Sequence, residues 1–295
     1  MEAPAYRDPQ AGAGFGPGSL VWELGGDALL PLAGPRALLL QLAHPLVAAA
    51  VAEHSAFAER PWRRLAATLH VLFGLYFGNA AEAAAAASRV DRAHARVRGC
   101  LRDATETLPL GTPYSAADPE RLFWVFATLV DSARAGAEAF VRPLRPEEQE
   151  RFYRELLRVG GRLDLPAASL PGDVGTFRER MRALQDGPTL TVTPTARRLA
   201  EIVLAPPVPG LPAAAFAPLA HLTRGLLPPS VRRRYGFAWG ADDEARFASQ
   251  CRRLRTLARL TPAWLRRVPQ AHRAQWRARR AGVRSATFAA PRGLR

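Results

Sequence analysis

Hydrophobic and polar positions along the chain repeat with the period of an α-helix rather than that of a strand. Between residues 61 and 77, apolar side chains recur at intervals of three or four residues, at Leu65, Leu69, Leu72 and Tyr76. The alternation of β-branched residues that indicates a sheet is not found. With Pro and N-capping residues marking helix starts, the pattern predicts helices over 36–44, 46–57, 61–77, 80–101, 120–140, 146–159, 174–185, 194–204, 213–226, from 229 onward, and 242–260.

Short loops rich in Pro and Gly join these helices, and no change in composition marks a domain border. At 295 residues the chain is long enough to bury a substantial core. We therefore predict a mainly α, single-domain helical bundle, globin-like in packing style, over residues 20–260. Residues 1–19 are predicted to be a flexible lead-in, and residues 261–295 an Arg-rich C-terminal tail.

Uninterrupted apolar runs, such as Leu46–Ala52 and Val71–Phe77, are too short to cross a bilayer. The N-terminus lacks the basic start and apolar stretch of a signal peptide. These features predict a soluble, cytoplasmic protein without a transmembrane segment. Cys100 and Cys251 do not form a CxxC motif. A single disulfide between them is one interpretation, but for a cytoplasmic protein we expect two buried free thiols.

The chain carries a formal net charge of +15, and all 41 basic residues are Arg. No acidic residue follows Glu244, whereas thirteen arginines lie between Arg252 and Arg295. One interpretation is contact between this tail and an anionic surface, either nucleic acid or a membrane. The other is a solvated helical face with no partner. A non-catalytic helical module that binds nucleic acid or anionic membrane through this segment is thus the alternative to an enzyme.

The common catalytic and metal-binding signatures, namely HExxH, GxSxG, GxxxxGK[ST] and paired Glu-x-x-His, are absent from the sequence. What stands out is a group of polar side chains on apolar segments: His44, His54, His70 and His94 within fifty-one residues. Haem requires one imidazole, an apolar slot and a few cations or hydroxyls, which such segments can supply. Many helical proteins without haem have isolated histidines as well, so the residues alone leave both interpretations open.

Five sequence blocks, taken in order, are more specific. They are residues 41–55 (QLAHPLVAAAVAEHS), 64–68 (RLAAT), 90–99 (VDRAHARVRG), 114–120 (YSAADPE) and 124–132 (WVFATLVDS). Together they resemble the catalytic domain shared by mpaB-type oxygenases and the bacterial rubber oxygenase, the latex clearing protein. The resemblance extends from about residue 25 to about residue 236.

The resemblance implies a haem b pocket between helices, with a proximal His in the pattern Val-x-x-x-His-x-x-Val-x-Gly. This pattern matches Val90, His94, Val97 and Gly99, so His94 is predicted to bind the iron. The second ring nitrogen of His94 is then expected to donate to a carbonyl or carboxylate. An Arg-x-x-x-Thr pair of the family's haem pocket matches Arg64 and Thr68, and Arg64 is also predicted to contact the haem.

The rubber and fungal enzymes cleave carbon–carbon double bonds of isoprenoid chains with dioxygen. For this chain the resemblance therefore implies an oxygenase acting with dioxygen on an apolar, isoprenoid-like substrate, with Arg64, Thr68 and His44 as predicted catalytic residues. Two positions depart from the family. The chain has no Lys, so the Lys that can cap the iron of the rubber enzyme has no counterpart. The iron is therefore expected to be five-coordinate, water-bound or capped by another group such as His44. In addition, Phe126 stands where relatives often have His.

Each of these residues also has a purely structural interpretation. His44 precedes Pro45 and could bond backbone groups at a helix kink. Arg63 could take the role given to Arg64, and the Thr68 hydroxyl could bond the carbonyl of residue 64.

Four further polar residues are predicted to be structural. Asp131 and Glu138, seven residues apart on one helix face, are expected to pair with buried Arg rather than to act as acid and base. His54 is expected to have a packing role, and His70 to lie on the surface.

Overall fold

The computed structural model describes residues 15–280 except Ala56, Ala58, Asp164, Ala167 and Ala168. Most of the predicted lead-in (1–14) and part of the predicted tail (281–295) lie outside the described residues. Within them the helices are α1 (Leu20–Gly25), α2 (Gly34–Leu42), α3 (Pro45–His54), α4 (Pro61–Phe77), α5 (Ala80–His94), α6 (Pro119–Gly136), α7 (Pro146–Arg162), α8 (Val174–Asp186), α9 (Pro194–Leu204), α10 (Ala217–Leu226), α11 (Pro229–Tyr235), α12 (Ala241–Leu260) and α13 (Pro269–Arg280). Two short strands, β1 (Arg98–Cys100) and β2 (Pro113–Ser115), complete the description. The prediction of a mainly α protein is confirmed.

Proline sets the start of seven of the thirteen described helices. Its fixed φ suits the first helical turn, where the missing N–H has no partner to lose. Side-chain caps reinforce other starts: Asp118 accepts hydrogen bonds from the N–H groups of Glu120 and Arg121, and Asn79 forms a capping box with Glu82. These signals lie within a few residues of each helix, which explains why most helix starts were predictable.

Helices α2 and α6 pack against each other at the centre of the described fold. Leu39 and Leu40 of α2 are fully buried, and Phe123, Trp124 and Phe126 of α6 are nearly so. Helix α9 covers α2 and α3, and α7 covers α6. Helices α4 and α5, joined by only two residues, form an antiparallel hairpin that contacts α1, α7 and α13.

The prediction of one helix over 80–101 and of no sheet was wrong at its C-terminal end. Helix α5 ends at His94, and β1 pairs antiparallel with β2, so that Gly99 lies opposite Tyr114. A Cβ at Gly99 would lie 2.5 Å from the Tyr114 hydroxyl, so only glycine permits this approach. Tyr114, fifteen positions later in the chain, imposes this requirement for glycine. The helical periodicity of residues 80–101 contains no information about a contact with so distant a residue.

Two predicted helices also end differently. Helix α6 gives way at Gly136 to a π-helical segment, Ala137–Val141. The predicted helix over 213–226 is divided into a 3₁₀ turn, Ala213–Phe216, and α10.

The segment expected as an Arg-rich tail contains α13, which packs against α4. The turn before α13 is bonded to the start of the fold: the N–H of Ala28 donates to the carbonyl of Arg266 (2.7 Å), and that of Val268 to the carbonyl of Gly26 (2.8 Å). Both cysteines are free, and Cys251 is buried. Cys100 is exposed on β1, so the expectation of two buried thiols was wrong for this residue.

Among the described residues, no single helix has both the length and the hydropathy needed to cross a membrane. The segments Leu30–Leu42 and Pro45–His54 reach those values only together, as a pair bent by 109°.

Gly136 provides a test of the packing at the end of α6. An added Cβ would lie 2.6 Å from the Cβ of Ala33, which has no flexible end to move aside. Gly136→Ala is therefore expected to lower the free energy of unfolding by about 1–3 kcal/mol. Gly34→Ala is the matched control: it has no atom within 4 Å of the new Cβ and already has a helical φ of −56°. It should raise stability by about 0.4–1 kcal/mol. Urea unfolding followed by circular dichroism measures both, and equal effects would contradict the packing argument.

Candidate functional site

Four parts of the chain meet beside the α4–α5 hairpin: the end of α3, the first half of α4, the last turn of α5 and the β1–β2 hairpin. The Arg64 guanidinium donates through Nη1 to the Ser55 hydroxyl (2.7 Å), which joins α4 to the residue after α3. The charge of Arg64 also acts on His94, the last residue of α5. We refer to His94, Arg64, Thr68 and Ser55 as the α4–α5 site.

His94 is half-buried at the C-terminal end of α5. Burial lowers the pKa of its ring, the Asp91 carboxylate partly opposes this, and the Arg64 cation adds to it. The imidazole is therefore neutral at neutral pH, the form that binds a metal ion. Within the described residues its ring nitrogens make no hydrogen bond, so the carbonyl or carboxylate expected to orient the ring is not found there.

The Arg64 guanidinium is open to solvent and yet is surrounded by protein atoms. By area its side chain is exposed to solvent, yet burial lowers the pKa of its guanidinium. Water thus reaches the group while protein atoms displace much of the water around it. Thr68 follows one turn later on the same face of α4 and is exposed. In the described part of the chain its hydroxyl makes no hydrogen bond, so the proposed bond to the residue-64 carbonyl is not formed.

Arg63, the alternative to Arg64, is also exposed, but it has no ion pair or hydrogen bond among the residues that the structure describes. Only Arg64 of the two is linked to α3 and acts on His94. The structure therefore favours Arg64 as the cation of this site.

Two large apolar side chains are exposed on the first turns of α4. Trp62 and Leu65 are exposed by 44% and 36%. The Trp62 indole N–H donates to the carbonyl of Pro207 (3.1 Å), and its ring lies 6.2 Å from that of Phe216. The segment after α9 thus holds the indole in place, on a different face of α4 from Arg64, since residues two apart on a helix do not face each other.

The β1–β2 hairpin fastens the strand after His94 to the end of α3. The Tyr114 hydroxyl donates to the Glu53 carboxylate (2.7 Å), and this hydrogen bond is the largest cause of a lowered Glu53 pKa. A Cβ at Gly99 would lie 3.0 Å from that carboxylate. Reasoning from sequence missed the Glu53–Tyr114 pair, although both residues belong to the conspicuous blocks at 41–55 and 114–120.

The structure places His44 at the opposite end of α3 from Ser55, about 15 Å away by helix length. Its Nδ1 accepts a hydrogen bond from the N–H of Leu46 (3.3 Å) and so caps the start of α3. Burial and the charge of Arg121 lower the His44 pKa to about 4. His44 is thus not brought together with Arg64, and its role as a distal group stays a prediction.

The remaining sequence candidates have structural roles. Asp131 pairs with buried Arg36 (2.6 Å) and with Arg134 (3.0 Å), and Arg134 also pairs with Glu138 (2.7 Å), as predicted for the two acids. Phe126 is buried in the core, where its ring would meet a Cβ at Gly160 (3.1 Å).

Two histidines lie on the surface. His54 is exposed and packs edge-on against the Tyr114 ring at 6.1 Å, and His70 is exposed on α4 as expected.

Two cavities of about 560 and 390 Å³ lie elsewhere in the described structure. Arg233 and Arg234 line the first, and the Arg36–Asp131–Arg134 network lines the second together with Arg178 and Arg182. Linings rich in arginine do not suit an apolar substrate. Within the described residues, no group of three or more His, Cys, Asp and Glu side chains is placed to hold a metal ion.

Comparison with known proteins identifies a family over most of the chain. Residues 22–263 match the family described as ER-bound oxygenase mpaB/B'/Rubber oxygenase, catalytic domain. This match includes all five sequence blocks and every residue of the α4–α5 site, and it confirms the resemblance inferred from the sequence. No curated protein and no solved structure matches the chain.

Proposed function

Because the chain belongs to the family of mpaB and rubber oxygenase catalytic domains, we propose that it is a haem b-dependent oxygenase acting on an apolar, isoprenoid-like substrate. Family membership itself makes the chain an oxygenase domain, which uses dioxygen and a substrate. The observation that carries the haem proposal is the arrangement of two residues on neighbouring helices: half-buried His94 ends α5, and Arg64 of α4 is held by its hydrogen bond to Ser55.

The chemical groups of the α4–α5 site fit the needs of haem. A neutral imidazole whose ring nitrogens make no hydrogen bond within the described residues suits an iron ligand. An exposed guanidinium suits the carboxylates of haem or a developing oxygen anion. The exposed side chains of Trp62 and Leu65 offer apolar surface for a macrocycle or a substrate.

Haem, when bound, would supply the iron that activates dioxygen. His94 would hold that iron through a ring nitrogen. Arg64 and the Thr68 hydroxyl would stabilise negative charge that develops on oxygen, because both can donate hydrogen bonds from one face of α4. His44, neutral because of its lowered pKa, stays a predicted distal residue and would have to act from the far end of α3.

The apolar character of the substrate is supported by exposed side chains at the start of α4. Trp62, whose indole N–H is already bonded to Pro207, packs near Phe216, and Leu65 adds a branched alkyl chain. Such a surface binds by excluding water from apolar area and selects hydrocarbon chains over polar metabolites.

An absorption spectrum of the purified protein, oxidised and then reduced under carbon monoxide, tests the proposal. A Soret band that shifts on reduction and carbon monoxide binding is expected. Protein expressed with haem feeding that still shows no Soret band would refute haem dependence, while leaving the family assignment in place.

The role of Arg64 makes a second prediction at this site. Arg64→Ala is expected to weaken azide binding to the ferric protein by about ten- to hundredfold, because a charge-assisted hydrogen bond to the anion is lost. Arg64→Lys should recover part of the affinity by restoring the charge without the planar fork. Spectrophotometric titration with azide measures the change. Arg63→Ala is the matched control, since Arg63 is exposed on the adjacent face. The Arg63→Ala protein should bind azide as the wild type does. Equal losses in both variants would refute the assignment of Arg64.

A further inference from the structure

Large apolar side chains are unusually exposed near the end of the described chain. Of the nine large hydrophobic residues that are exposed within the described part of the chain, five lie between residues 257 and 276. Four of them follow one another at the end of α12 and in the turn after it, and we refer to these as the C-terminal apolar patch: Leu257 (51% exposed), Leu260 (78%), Trp264 (64%) and Leu265 (57%). Side chains of this size are seldom left in water in such a concentration without a partner.

The fold holds this patch outward. The turn that carries Trp264 and Leu265 is bonded to the backbone of residues 26–28, and Arg266 forms an ion pair with the largely buried Asp27. Val268, at the end of the turn, is itself buried. The turn is therefore fastened to residues 26–28, and its inward side is already packed. The patch cannot fold back onto the core unless these hydrogen bonds and the ion pair break.

Positive charge surrounds the patch. Residues 245–280 contain eleven arginines and no acidic residue. Arg253, Leu257 and Leu260 follow the i, i+4, i+7 spacing and share one face of α12. Arg253 and Arg259 are exposed, and neither has a carboxylate partner in the part of the chain that the structure describes. The surface thus has an apolar centre of Leu and Trp bordered by free guanidinium groups.

We propose that the C-terminal apolar patch docks the protein on an anionic lipid bilayer. Trp and Leu are the side chains that insert at the boundary between headgroups and acyl chains, and arginines beside them meet the anionic headgroups. Nucleic acid would satisfy the arginines but would leave the Leu260 and Leu265 side chains in water. An anionic lipid surface can accommodate both the apolar side chains and the arginines. This inference does not depend on haem, because its test measures binding to lipid vesicles and not the oxidation of a substrate.

Vesicle flotation with the full-length protein tests the proposal. The wild type is expected to float with vesicles of phosphatidylcholine and phosphatidylserine in equal amounts, and to float far less with phosphatidylcholine alone. Trp264→Ser combined with Leu265→Ser should weaken binding to the anionic vesicles by about tenfold for each side chain that inserts. Arg253→Gln combined with Arg259→Gln should weaken it by about fivefold for each charge removed.

Leu110→Ser is the matched control, since Leu110 is 68% exposed but lies outside the patch. It should float as the wild type does. Thermal unfolding midpoints of all variants should agree, because the substituted side chains are exposed and make few packing contacts. Tryptophan fluorescence should be quenched by brominated lipid in the wild type and less so in Trp264→Phe.

Three results would overturn the proposal. One is a wild-type protein that does not float with the anionic vesicles, or a Trp264→Ser, Leu265→Ser variant that floats as well as the wild type. Another is tight binding to duplex DNA that depends on Arg253 and Arg259 but not on Trp264, which would assign the surface to nucleic acid. The third is a dimer in sedimentation velocity that Trp264→Ser dissociates, which would assign it to a second copy of the chain.

Discussion

Replacing His94 with alanine is expected to abolish haem retention while the helical fold persists. The proposed ligand is the last residue of α5, half-buried, with no hydrogen bond of its ring among the described residues. Removing the ring should therefore change the free energy of unfolding by no more than about 1 kcal/mol. Removing a group that merely supports a metal ligand already weakens metal binding by about ten- to hundredfold, so loss of the ligand itself should weaken haem binding at least about a hundredfold.

The Soret absorbance per protein, after gel filtration, measures this prediction. His70→Ala is the control, because His70 is exposed on α4 outside the α4–α5 site and should leave the haem content unchanged. Added imidazole should restore a Soret band to His94→Ala by occupying the vacated position. An unaltered spectrum in His94→Ala would show that another residue binds the iron, without refuting haem dependence.

Replacing Asp131 with alanine is expected to produce the largest loss of stability. Its carboxylate accepts hydrogen bonds from Arg36 (2.6 Å) and Arg134 (3.0 Å), and Arg36 also donates to Ser132 and to the carbonyl of Leu226. Removal of the anion leaves a buried guanidinium without its counter-charge. Such a change costs about 3–5 kcal/mol of the free energy of unfolding.

Urea unfolding should show this loss, with Arg154→Gln as the control. Arg154 pairs with Glu150 at 2.6 Å, but its side chain is 67% exposed, so its removal should change stability by no more than about 1 kcal/mol. If both substitutions cost the same, burial of the Asp131 network would not matter for stability.

The Asp131 network also predicts a dependence on pH. Burial alone would raise the pKa of Asp131, but the Arg36 and Arg134 cations lower it from 3.8 to about 2. The native state therefore keeps this carboxylate ionised where the unfolded chain would protonate it. Its contribution is complete above about pH 4 and is lost as the pH falls toward 2. The stability difference between the wild type and Asp131→Asn should shrink by about 2 kcal/mol over that range.

Helix starts were predictable because the interactions that set them are local. Proline at positions 45, 61, 119, 146 and 194 has a fixed φ, and Asp118 caps the helix that directly follows it. The end of α5 was not predictable in this way. The composition of residues 95–101 predicted a helix, but Gly99 pairs with Tyr114 in the β1–β2 ladder. That contact exists only after the chain has folded back on itself.

The candidate site was predicted in part. Spacing placed Arg64 and Thr68 on one helix face, and the ordered sequence blocks indicated His94. The structure added that Arg64 is bonded to Ser55 and acts on His94, that Glu53 and Tyr114 fasten the strand after His94, and that His44 caps the other end of α3. These relations join residues from different helices, so periodicity within one helix could not reveal them.

For the arginines near the C-terminus, too, the sequence settled one part of the description and the structure another. Their number and the lack of acids after Glu244 are properties of the sequence, and they favoured a solvated face over an anionic partner without excluding the partner. The fastened turn at residues 261–268 decided that Trp264 and Leu265 face water among those charges.

By itself, the sequence determined that this protein is mainly helical, where most of its helices begin, and to which oxygenase family it belongs. Helical period, proline geometry and capping act over a few residues, so they can be recognised without knowing the fold. Tertiary structure alone decided that Asp131 pairs with Arg36, 95 residues away, and that Arg64 is bonded to Ser55 at the end of α3. Such pairings are chosen by the packing of whole helices, since many arginines could have met each acid and only the folded core determines which one does.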